Sequence, residues 1–597
     1  MQQLCKEGAI EGSFKEGKSW MIPEDSILEE KASYNVNRRA GRKDKKPLPI
    51  GVSSYIEAVE RYYYVDKTLM IKDFIDTLPK VSLFTRPRRF GKTLNMDMLR
   101  VYFEKREEDN SVYFKDKAIW KCGTKYQEYQ GKFPVICLSF KDVKYNGWEN
   151  ALKDISELIR YEYLRHEELF RSDACSSAEK EFYSKIANGS MDEVELAHSL
   201  SYLSVMLHKH YGKETIIIID EYDTPIHQGF INGYYDEAVS FIRKLFSGAF
   251  KDNKSLAYGF LTGILRVAKE SIFSGMNNLK VNTIMEDRFS SYFGFTRQEV
   301  HDMLKYYNMQ DKMTEVREWY DGYRFGISEI YNPWSVINYV DERCVAKAFW
   351  LSTGSNDVIG DIISAASTDI LEKLRRLLQG ESVVTYVDVG VIYPEISNNP
   401  SSIFSFLLVT GYLRNDEISP QADGSYMCRV KIPNKEISLV YTREIISKIK
   451  GDQGEPVALQ IAQAIFERNI SKLSDAINRY LTQTISCYDT SSEAFYQGLL
   501  IGFCAMLSHK YIIRSNREAG LGRFDIEMKP MVSELPAYIF ELKNSKNSKE
   551  SLDKLAEKAL EQICDKKYDT DLKAEGVKDI IRIGIAFRNK EAAMKIL

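Results

Sequence analysis

The chain has 597 residues, of which 44% are hydrophobic and 28% charged, and its formal net charge is −3. This length exceeds that of one domain of roughly 150 residues, so we expect at least two or three domains with sizeable cores. The ordinary composition excludes a largely disordered or fibrous chain, and the balanced charge excludes a uniformly basic surface for nucleic acid.

The N-terminal residues predict a small hairpin followed by a basic tether. Two short apolar runs within residues 8–23 are separated by a Gly-Lys turn, and Pro23 closes the second run. Residues 1–30 resemble the wing and preceding helix of an excisionase-type winged helix-turn-helix domain, although an unrelated hairpin fits equally well. Residues 35–49 contain six Lys or Arg side chains, so we expect an exposed linker over 31–49.

Residues 50–285 are predicted to form an α/β domain. Apolar runs at 81–84, 135–138 and 216–219 alternate with longer segments of helical periodicity. Strands that are apolar on both faces and separated by helices are typical of a parallel sheet between two helical layers. A parallel sheet is therefore expected to form the core of this section.

A phosphate-binding loop is predicted directly after the first of these strands. It ends in Gly91, Lys92 and Thr93, and a helix is predicted over 94–105. In a P-loop the glycine permits close approach of the backbone, the lysine reaches the β and γ phosphates, and the hydroxyl coordinates magnesium. The helix N-terminus adds free amides and a favourable dipole to the anion site.

The beginning of this loop departs from the common P-loop pattern, because Arg86 stands where the first glycine is expected. Guanidinium groups such as those of Arg86 and Arg89 are able to hold phosphates bidentately. Loss of the glycine is also able to distort the phosphate cradle and slow turnover. We therefore predict that the loop binds ATP, and we leave hydrolysis open.

Two acids at the end of a second strand complete the predicted nucleotide site. The apolar run 215–219 ends in Asp220 and Glu221. This placement puts Asp220 beside the nucleotide magnesium and Glu221 where it can orient the attacking water. After the apolar run 257–261, Thr262 and Arg266 are candidates for sensing the γ phosphate, although a surface arginine at a strand end is equally common.

Residues 51–295 resemble the AAA-ATPase-like family that is common in anaerobic bacteria. The resemblance rests on the strings YYYVDKT at 62–68, FTRPRRFGKT at 84–93 and IIIDEYDTP at 217–225. It implies an ATP-binding domain that uses Mg²⁺, and it makes the missing first glycine a trait of the family. The resemblance does not imply a substrate.

Residues 286–484 are predicted to be mostly helical and to form a connector or lid domain. Aromatic-rich turns occur there at 320–323 and 331–334. From 485 to 597 the pattern returns to α/β, in the order helix, strand, strand, helix, strand.

The C-terminal section contains a candidate metal-dependent site. Glu541 and Lys543 share one face of the predicted strand 537–543, because side chains alternate along a strand. If the preceding strand forms a hairpin with it, Asp525 meets Glu541, and two carboxylates make a hard-oxygen magnesium site. Lys543 can then position or help deprotonate a water for in-line attack on a phosphodiester. An exposed strand face with alternating charges is the simpler alternative.

Residues 488–597 resemble the PD-(D/E)xK nuclease superfamily, through Asp525 and the Glu541-Leu542-Lys543 string. The resemblance implies catalytic roles for Asp525, Glu541 and Lys543, with support from Gln562 on the following helix. Glu493 is a candidate further acid, although a helix surface is its simpler place. The sequence departs from a literal PD motif, since Phe524 precedes Asp525.

Other features of the sequence bear on the compartment of the protein. Nine cysteines lack CxxC spacing, and no apolar run approaches the roughly 20 residues needed to span a bilayer. The first residues also lack a secretory signal. We therefore expect a bacterial cytoplasmic protein without a membrane segment.

The function predicted from these patterns is that of an ATP-binding protein whose P-loop domain is coupled to a magnesium-dependent nuclease-like domain. Nucleic acid is the expected partner, with DNA favoured, and a homo-oligomer or partner protein is compatible with the sequence. One alternative is a non-cleaving regulatory or scaffold protein with a degenerate nuclease fold. Another is a plain ATPase motor.

Overall fold

The structure is a computed structural model, and not every residue of the chain is described by it. The described residues are 14–16, 19–21, 45–266, 272–273, 276–352, 368–378, 380–396, 400–447, 457–484, 496–497, 500, 503–504, 507, 510–532, 535–545, 547 and 550–597. The predicted N-terminal hairpin is present, as Phe14–Glu16 (β1) pairs antiparallel with Ser19–Met21 (β2). The residues that surround it lie outside the described ranges, so the winged-helix resemblance stays a prediction.

A parallel five-stranded sheet forms the centre of the first large section, which confirms the α/β prediction. Its strands are Val81–Thr85 (β3), Val135–Ser139 (β4), Thr215–Asp220 (β5), Leu256–Gly263 (β6) and Leu279–Asn282 (β7). Their order in the sheet is β4-β5-β6-β3-β7, and every neighbouring pair is parallel. Since β6 lies between β3 and β5, the ends of these three strands meet at one edge of the sheet.

Helices connect and cover these strands. They are Tyr55–Arg61 (α1), Leu69–Ile75 (α2), Lys92–Phe103 (α3), Thr124–Gln127 (α4), Trp148–Leu164 (α5), Glu168–Arg171 (α6), Ser177–Ala187 (α7), Glu193–Ala197 (α8), Ser199–Tyr211 (α9), Thr224–Asn232 (α10) and Tyr235–Phe250 (α11). Short 3-10 helices lie at Asn110–Tyr113 and Ala118–Cys122. All four isoleucines of β5 are fully buried, as expected for a strand with helices on both faces.

The middle section is mostly helical, as predicted, and it also contains two small antiparallel sheets. Its helices are Arg297–Tyr306 (α12), Met313–Tyr320 (α13), Pro333–Asp341 (α14), Thr368–Leu378 (α15), Tyr393–Ile396 (α16), Pro400–Val409 (α17) and Lys435–Ser447 (α18), with 3-10 turns at Gln310–Lys312 and Phe349–Ser352. The strands are Tyr323–Phe325 (β8), Ser328–Ile330 (β9), Val383–Val387 (β10), Arg414–Pro420 (β11) and Tyr426–Lys431 (β12).

The parallel sheet and the middle section share one hydrophobic core. Buried side chains form a continuous cluster that begins at Tyr55 and extends through the sheet to Tyr441 on α18. A smaller cluster between α12, α13 and α14 joins Leu48 to Phe349. The P-loop section and the middle section, as far as Tyr441, are therefore packed together as one body.

The C-terminal section is built on a mixed five-stranded sheet with its own core. Its strands are Tyr511–Ala519 (β13), Gly522–Pro530 (β14), Ala537–Asn544 (β15), Ile580–Arg588 (β16) and Glu591–Ile596 (β17), arranged in sequential order. Only the pair of β15 with β16 is parallel.

Within the described residues, four helices with defined bounds accompany this sheet, and residues 496–497, 500 and 503–504 are also helical. The four are Val457–Phe466 (α19), Ile470–Thr484 (α20), Leu552–Asp565 (α21) and Thr570–Ala574 (α22). Apolar residues of α19 and α20 belong to the same buried cluster as Tyr538 and Phe540 of β15. The packing thus groups α19 and α20 with the C-terminal sheet, whereas the sequence-based boundary at 485 assigned them to the middle section.

Among the described residues, no helix combines the length and the apolar character that crossing a membrane requires.

Candidate functional sites

The P-loop connects β3 to α3 through a backbone that needs two left-handed residues. Gly91 caps α3 with φ +80°, and Arg89 has φ +69°. Arg86, at the place of the usual first glycine, is not among the residues with positive φ. A side chain is therefore accommodated there without backbone strain. The helix begins at Lys92 and ends at Phe103, so both ends lie two residues before those predicted.

Lys92 lies inside the loop that it is predicted to serve. Its side chain is 5% exposed, and its Nζ donates to the carbonyl oxygens of Arg86 at 3.1 Å and Pro87 at 3.0 Å. Burial lowers the pKa of Lys92, while the nearby carboxylates of Glu221 and Asp220 raise it. The ammonium is thus held at the loop centre, where phosphate oxygens are stronger partners than carbonyls.

Asp220 joins the loop to the sheet through two hydroxyl groups. The Thr93 hydroxyl donates to one carboxylate oxygen at 2.7 Å, and the Thr262 hydroxyl donates to the other. Burial raises the pKa of Asp220, and the two hydroxyl donors lower it. The Thr93 and Asp220 oxygens form a hard-oxygen pair of the type that Mg²⁺ prefers, so these residues fit the predicted cation.

Glu221 has an unfavourable backbone conformation, with φ +52°. A non-glycine residue in this region costs about 1 kcal/mol or more, and such residues cluster at functional sites. Its amide donates to the Thr262 hydroxyl at 3.3 Å. Burial lowers the pKa values of Lys92 and Arg89, and the charge of Glu221 opposes that shift. Glu221 is therefore at the loop mouth, although its role in orienting water stays a prediction.

Thr262 lies fully buried at the end of β6 and contacts both acids of the β5 strand end. Arg266 lies a few residues beyond it, partly buried. Thr262 is thus a supporting group for Asp220, and phosphate sensing by either residue stays a prediction.

Asp223 was not assigned a role from the sequence, but it links the two loops that border the site. Its carboxylate accepts hydrogen bonds from the amides of Ile264 at 2.7 Å and Leu265 at 2.9 Å. A Cβ added at Gly263 would lie 2.8 Å from that carboxylate. Its place in the IIIDEYDTP string after Glu221 was a sequence signal, but that place carries no information about loop contacts.

Arg86 is directed into the protein interior. Its side chain is fully buried, and Nη1 donates to the carbonyl oxygens of Thr85 at 2.9 Å and Asn282 at 2.7 Å. The guanidinium also lies 5.1 Å from the centre of the Phe293 ring, and burial lowers the pKa of Arg86 to about 10. This geometry supports a structural role and not the predicted phosphate contact, because the side chain is fully buried and its Nη1 donates to backbone carbonyls of the sheet.

The outer face of the P-loop contacts the middle section. Phe90 is fully buried, with its ring centre 4.9 Å from that of Tyr323 and 5.2 Å from that of Phe325. Arg89 is exposed, and its guanidinium lies 4.4 Å from the centre of the Trp334 ring. A movement of the loop would therefore be transmitted directly to β8 and α14.

The C-terminal site begins where β14 separates from β15. The antiparallel pairing of these strands runs from Met528 to Ile526 and stops before Asp525. There the Asp525 carboxylate accepts a hydrogen bond from the Leu542 amide at 2.7 Å. The predicted hairpin partner is confirmed, and the carboxylate of Asp525 is held next to the residue that follows Glu541.

Glu541 is 3% exposed and is contacted by two predicted site residues. The Lys543 ammonium lies 3.3 Å from Glu541 Oε1, and the Gln562 amide donates to the same oxygen. Lys543 is 30% exposed, so the lysine is the solvent-accessible member of the pair. The structure therefore brings Glu541, Lys543 and Gln562 together.

Helix α21 reaches the sheet closely enough for this contact because of Gly584 on β16. A Cβ added there would overlap the Ala556 carbonyl oxygen and would lie 2.5 Å from the Leu560 amide nitrogen. Only glycine allows the helix backbone to lie against the strand, and this approach brings Gln562 to Glu541. The sequence alone did not identify Gly584.

Asp525 and Glu541 supply oxygen ligands of the kind that a divalent cation prefers. Burial raises the pKa of the Tyr568 hydroxyl, and the charges of Glu541 and Asp525 add to this shift. Within the described ranges, no group of three or more His, Cys, Asp or Glu side chains is arranged to hold a metal. Glu493, the candidate further acid, lies outside those ranges.

Comparisons with known proteins agree with the two predicted domains. The AAA-ATPase-like family, described as a predicted AAA-ATPase, matches residues 49–273, and the PD-(D/E)XK nuclease superfamily matches residues 491–595. An uncharacterised protein in the vnfD 5′ region of Azotobacter chroococcum mcd 1 is 24% identical over 401 residues, which cover 66% of this chain and 68% of that protein. The chain therefore combines an AAA-ATPase-like domain with a C-terminal domain of the PD-(D/E)XK nuclease superfamily.

Proposed function

We propose that ATP bound at the P-loop controls magnesium-dependent cleavage of nucleic acid, with DNA favoured, by the C-terminal domain. One observation supports this proposal most directly. Asp525 and Glu541 are both held in place by neighbouring donors, and the partly accessible ammonium of Lys543 lies beside Glu541. Two acids and a lysine at a strand end form the set of groups that phosphodiester hydrolysis needs.

At the nucleotide site, each residue has a distinct part in binding. Lys92 would exchange the two carbonyls that it now contacts for β and γ phosphate oxygens. Thr93 and Asp220 would hold the cation of Mg-ATP, since their oxygens are already 2.7 Å apart. Glu221 would accept a hydrogen bond from water at the γ phosphate and so orient it for hydrolysis.

At the C-terminal site, a water oxygen would form a bond to phosphorus while the bond to the leaving ester oxygen breaks, and the proton given up by the water would pass through solvent to that leaving oxygen. A divalent cation held by Asp525 and Glu541 would supply positive charge to the phosphate as this occurs. Lys543, which is more accessible than Glu541, would orient the attacking water and contact the phosphate. Gln562 would keep Glu541 in the position to serve the cation.

Contacts of the P-loop with the middle section support control by ATP. Phe90 is packed between two aromatic rings of β8, and Arg89 lies over Trp334. Phosphate binding would draw Arg89 away from that ring, because a guanidinium binds phosphate more strongly than an exposed aromatic face. The middle section would then respond to the nucleotide.

A non-cleaving regulatory or scaffold protein is the second candidate. The described residues contain no group of three or more His, Cys, Asp or Glu side chains that could hold a metal, which favours this candidate. Phe524 in place of proline before Asp525 also points away from a standard nuclease motif. This candidate predicts ATP binding without cleavage.

The test uses the purified full chain with labelled single- and double-stranded DNA and RNA, with Mg²⁺ or Mn²⁺, and with or without ATP. The variants are Asp525→Ala, Lys543→Ala and Lys92→Ala. Asp565→Ala serves as a matched control, because Asp565 is an exposed acid in the same domain.

We expect cleavage to be lost in Asp525→Ala and Lys543→Ala and retained in Asp565→Ala. We also expect Lys92→Ala to cleave without responding to ATP. Cleavage that survives in Asp525→Ala would refute the assigned site, and an unchanged ATP response in Lys92→Ala would refute the control by nucleotide. Absence of cleavage in the wild type under every condition would favour the scaffold.

A further inference from the structure

Tyr568 is a buried residue next to the C-terminal site that the sequence did not indicate. It follows α21 and is 1% exposed. Its hydroxyl oxygen accepts a hydrogen bond from Gln562 Nε2 at 3.1 Å. The same Nε2 donates to Glu541 Oε1. A chain of contacts thus runs from the tyrosine hydroxyl, through one amide group, to a predicted metal ligand.

The two acceptors fix the orientation of the Gln562 amide. An amide NH₂ group has two hydrogens, and here one is directed at Glu541 and the other at Tyr568. If the amide rotated by half a turn, its oxygen would face the Glu541 carboxylate, which is unfavourable. The tyrosine hydroxyl gives the same amide nitrogen a second acceptor and so helps to hold the donor at Glu541.

Tyr568 is itself held firmly by the surrounding backbone. A Cβ added at Gly522 would lie 3.2 Å from the tyrosine ring, so the tip of the β13–β14 hairpin lies against that ring. The Tyr568 amide donates to the Ile563 carbonyl at 3.2 Å, and the Leu521 amide donates to the Lys566 carbonyl at 2.7 Å. These contacts leave the hydroxyl little freedom to move away from Gln562.

We propose that Tyr568 is a positioning residue of the C-terminal site, which acts through Gln562 to orient Glu541 for a divalent cation. This inference rests on the proposed function, because it assumes that Glu541 serves a cation. Tyr568 itself need not contact the cation or the nucleic acid. Groups behind a metal ligand commonly change metal affinity when they are removed, because they set the orientation of the ligand.

The test measures binding of Mn²⁺ to the full chain by electron paramagnetic resonance, without nucleotide and without nucleic acid. The signal that is lost in Asp525→Ala defines the C-terminal site. Tyr568→Phe, Gln562→Leu and the double variant are then compared with the wild type. Tyr538→Phe is the matched control, since it removes another buried hydroxyl of the same domain, which donates to the Ile465 carbonyl.

We expect Tyr568→Phe to weaken Mn²⁺ binding about tenfold, the lower end of the effect of such supporting groups. Tyr538→Phe should leave the affinity unchanged. The double variant should bind no more weakly than Gln562→Leu alone, because the tyrosine acts through the glutamine. A structural role of the ring alone would not produce this non-additivity, as phenylalanine retains the ring.

Three results would overturn the inference: unchanged affinity in Tyr568→Phe, additive losses in the double variant, or no Mn²⁺ signal that depends on Asp525. Cleavage is measured separately in the same preparations. A wild type that binds Mn²⁺ but cleaves no nucleic acid would refute the proposed function and leave the role of Tyr568 intact. If the wild type cleaves and Tyr568→Phe binds Mn²⁺ with unchanged affinity, the role of Tyr568 is refuted and the proposed function stands.

Discussion

Thr262→Val should weaken binding of Mg-ATP without disturbing the fold of the P-loop. Threonine and valine have nearly the same shape, and Thr262 is fully buried. Its hydroxyl donates to the Asp220 carboxylate and accepts from the Glu221 amide. The substitution removes one hydrogen bond to a buried charge and leaves one amide without its acceptor.

The size of the effect follows from the charged partner. A hydrogen bond to a charged group contributes about 2 kcal/mol, and if all of it is lost from the ionised, cation-binding form of Asp220, the affinity falls about 30-fold. Burial already raises the pKa of Asp220, and the Thr262 hydroxyl opposes this effect. Without the hydroxyl, the carboxyl group is harder to ionise, and only its ionised form serves the cation.

The assay is titration calorimetry of ATP with Mg²⁺ and, separately, with EDTA. We expect the loss of affinity to appear mainly with Mg²⁺, and Thr262→Ser to retain wild-type binding because it keeps the hydroxyl. Equal losses with Mg²⁺ and with EDTA would contradict a role that acts through Asp220. Wild-type affinity in Thr262→Val would contradict the whole argument.

Three other substitutions test separate parts of the structure. Burial raises the pKa of Glu436 to about 7, above its value in the unfolded chain. Its contribution to stability, about 3 kcal/mol in all, is therefore present below about pH 4.5 and is lost as the pH rises through 7. Glu436→Gln should flatten the dependence of the unfolding midpoint on pH, and parallel curves for variant and wild type would exclude this contribution. Gly584→Ala should destabilise the C-terminal unit by about 2 kcal/mol, because its Cβ meets backbone atoms of α21. It should also weaken Mn²⁺ binding. Unchanged thermal unfolding would refute the close approach of α21 to β16. Arg86→Gln should lower the thermal midpoint, since it deprives buried carbonyls of donors, while the folded protein retains its ATP affinity; a selective loss of ATP binding would instead restore the predicted phosphate contact.

The sequence was sufficient for features whose residues are adjacent or follow a regular period. The P-loop strand, the acidic end of β5 and the shared face of Glu541 and Lys543 all depend on local order along the chain. The helix boundaries at the P-loop were displaced by two residues, because the left-handed cap at Gly91 starts the helix directly at Lys92.

Contacts between distant segments could not be derived in this way. The direction of Arg86 is set by Asn282 and Phe293, about two hundred residues later in the chain. The partners of Tyr568 depend on how the turn after α21 meets the β13–β14 hairpin. Likewise, the periodicity of α19 and α20 shows that each has an apolar face, but not which sheet covers it.

The division of the hydrophobic cores indicates where the chain tolerates recombination. The core that runs from Tyr55 to Tyr441 joins the P-loop section and the middle section into one unit. A recombination point between these two sections would therefore combine buried surfaces from two different proteins. The C-terminal sheet and α19 have a separate core. A crossover between Ser447 and Val457 would instead exchange a complete module, so different effector domains could be placed under one nucleotide-binding unit without redesign of either interior.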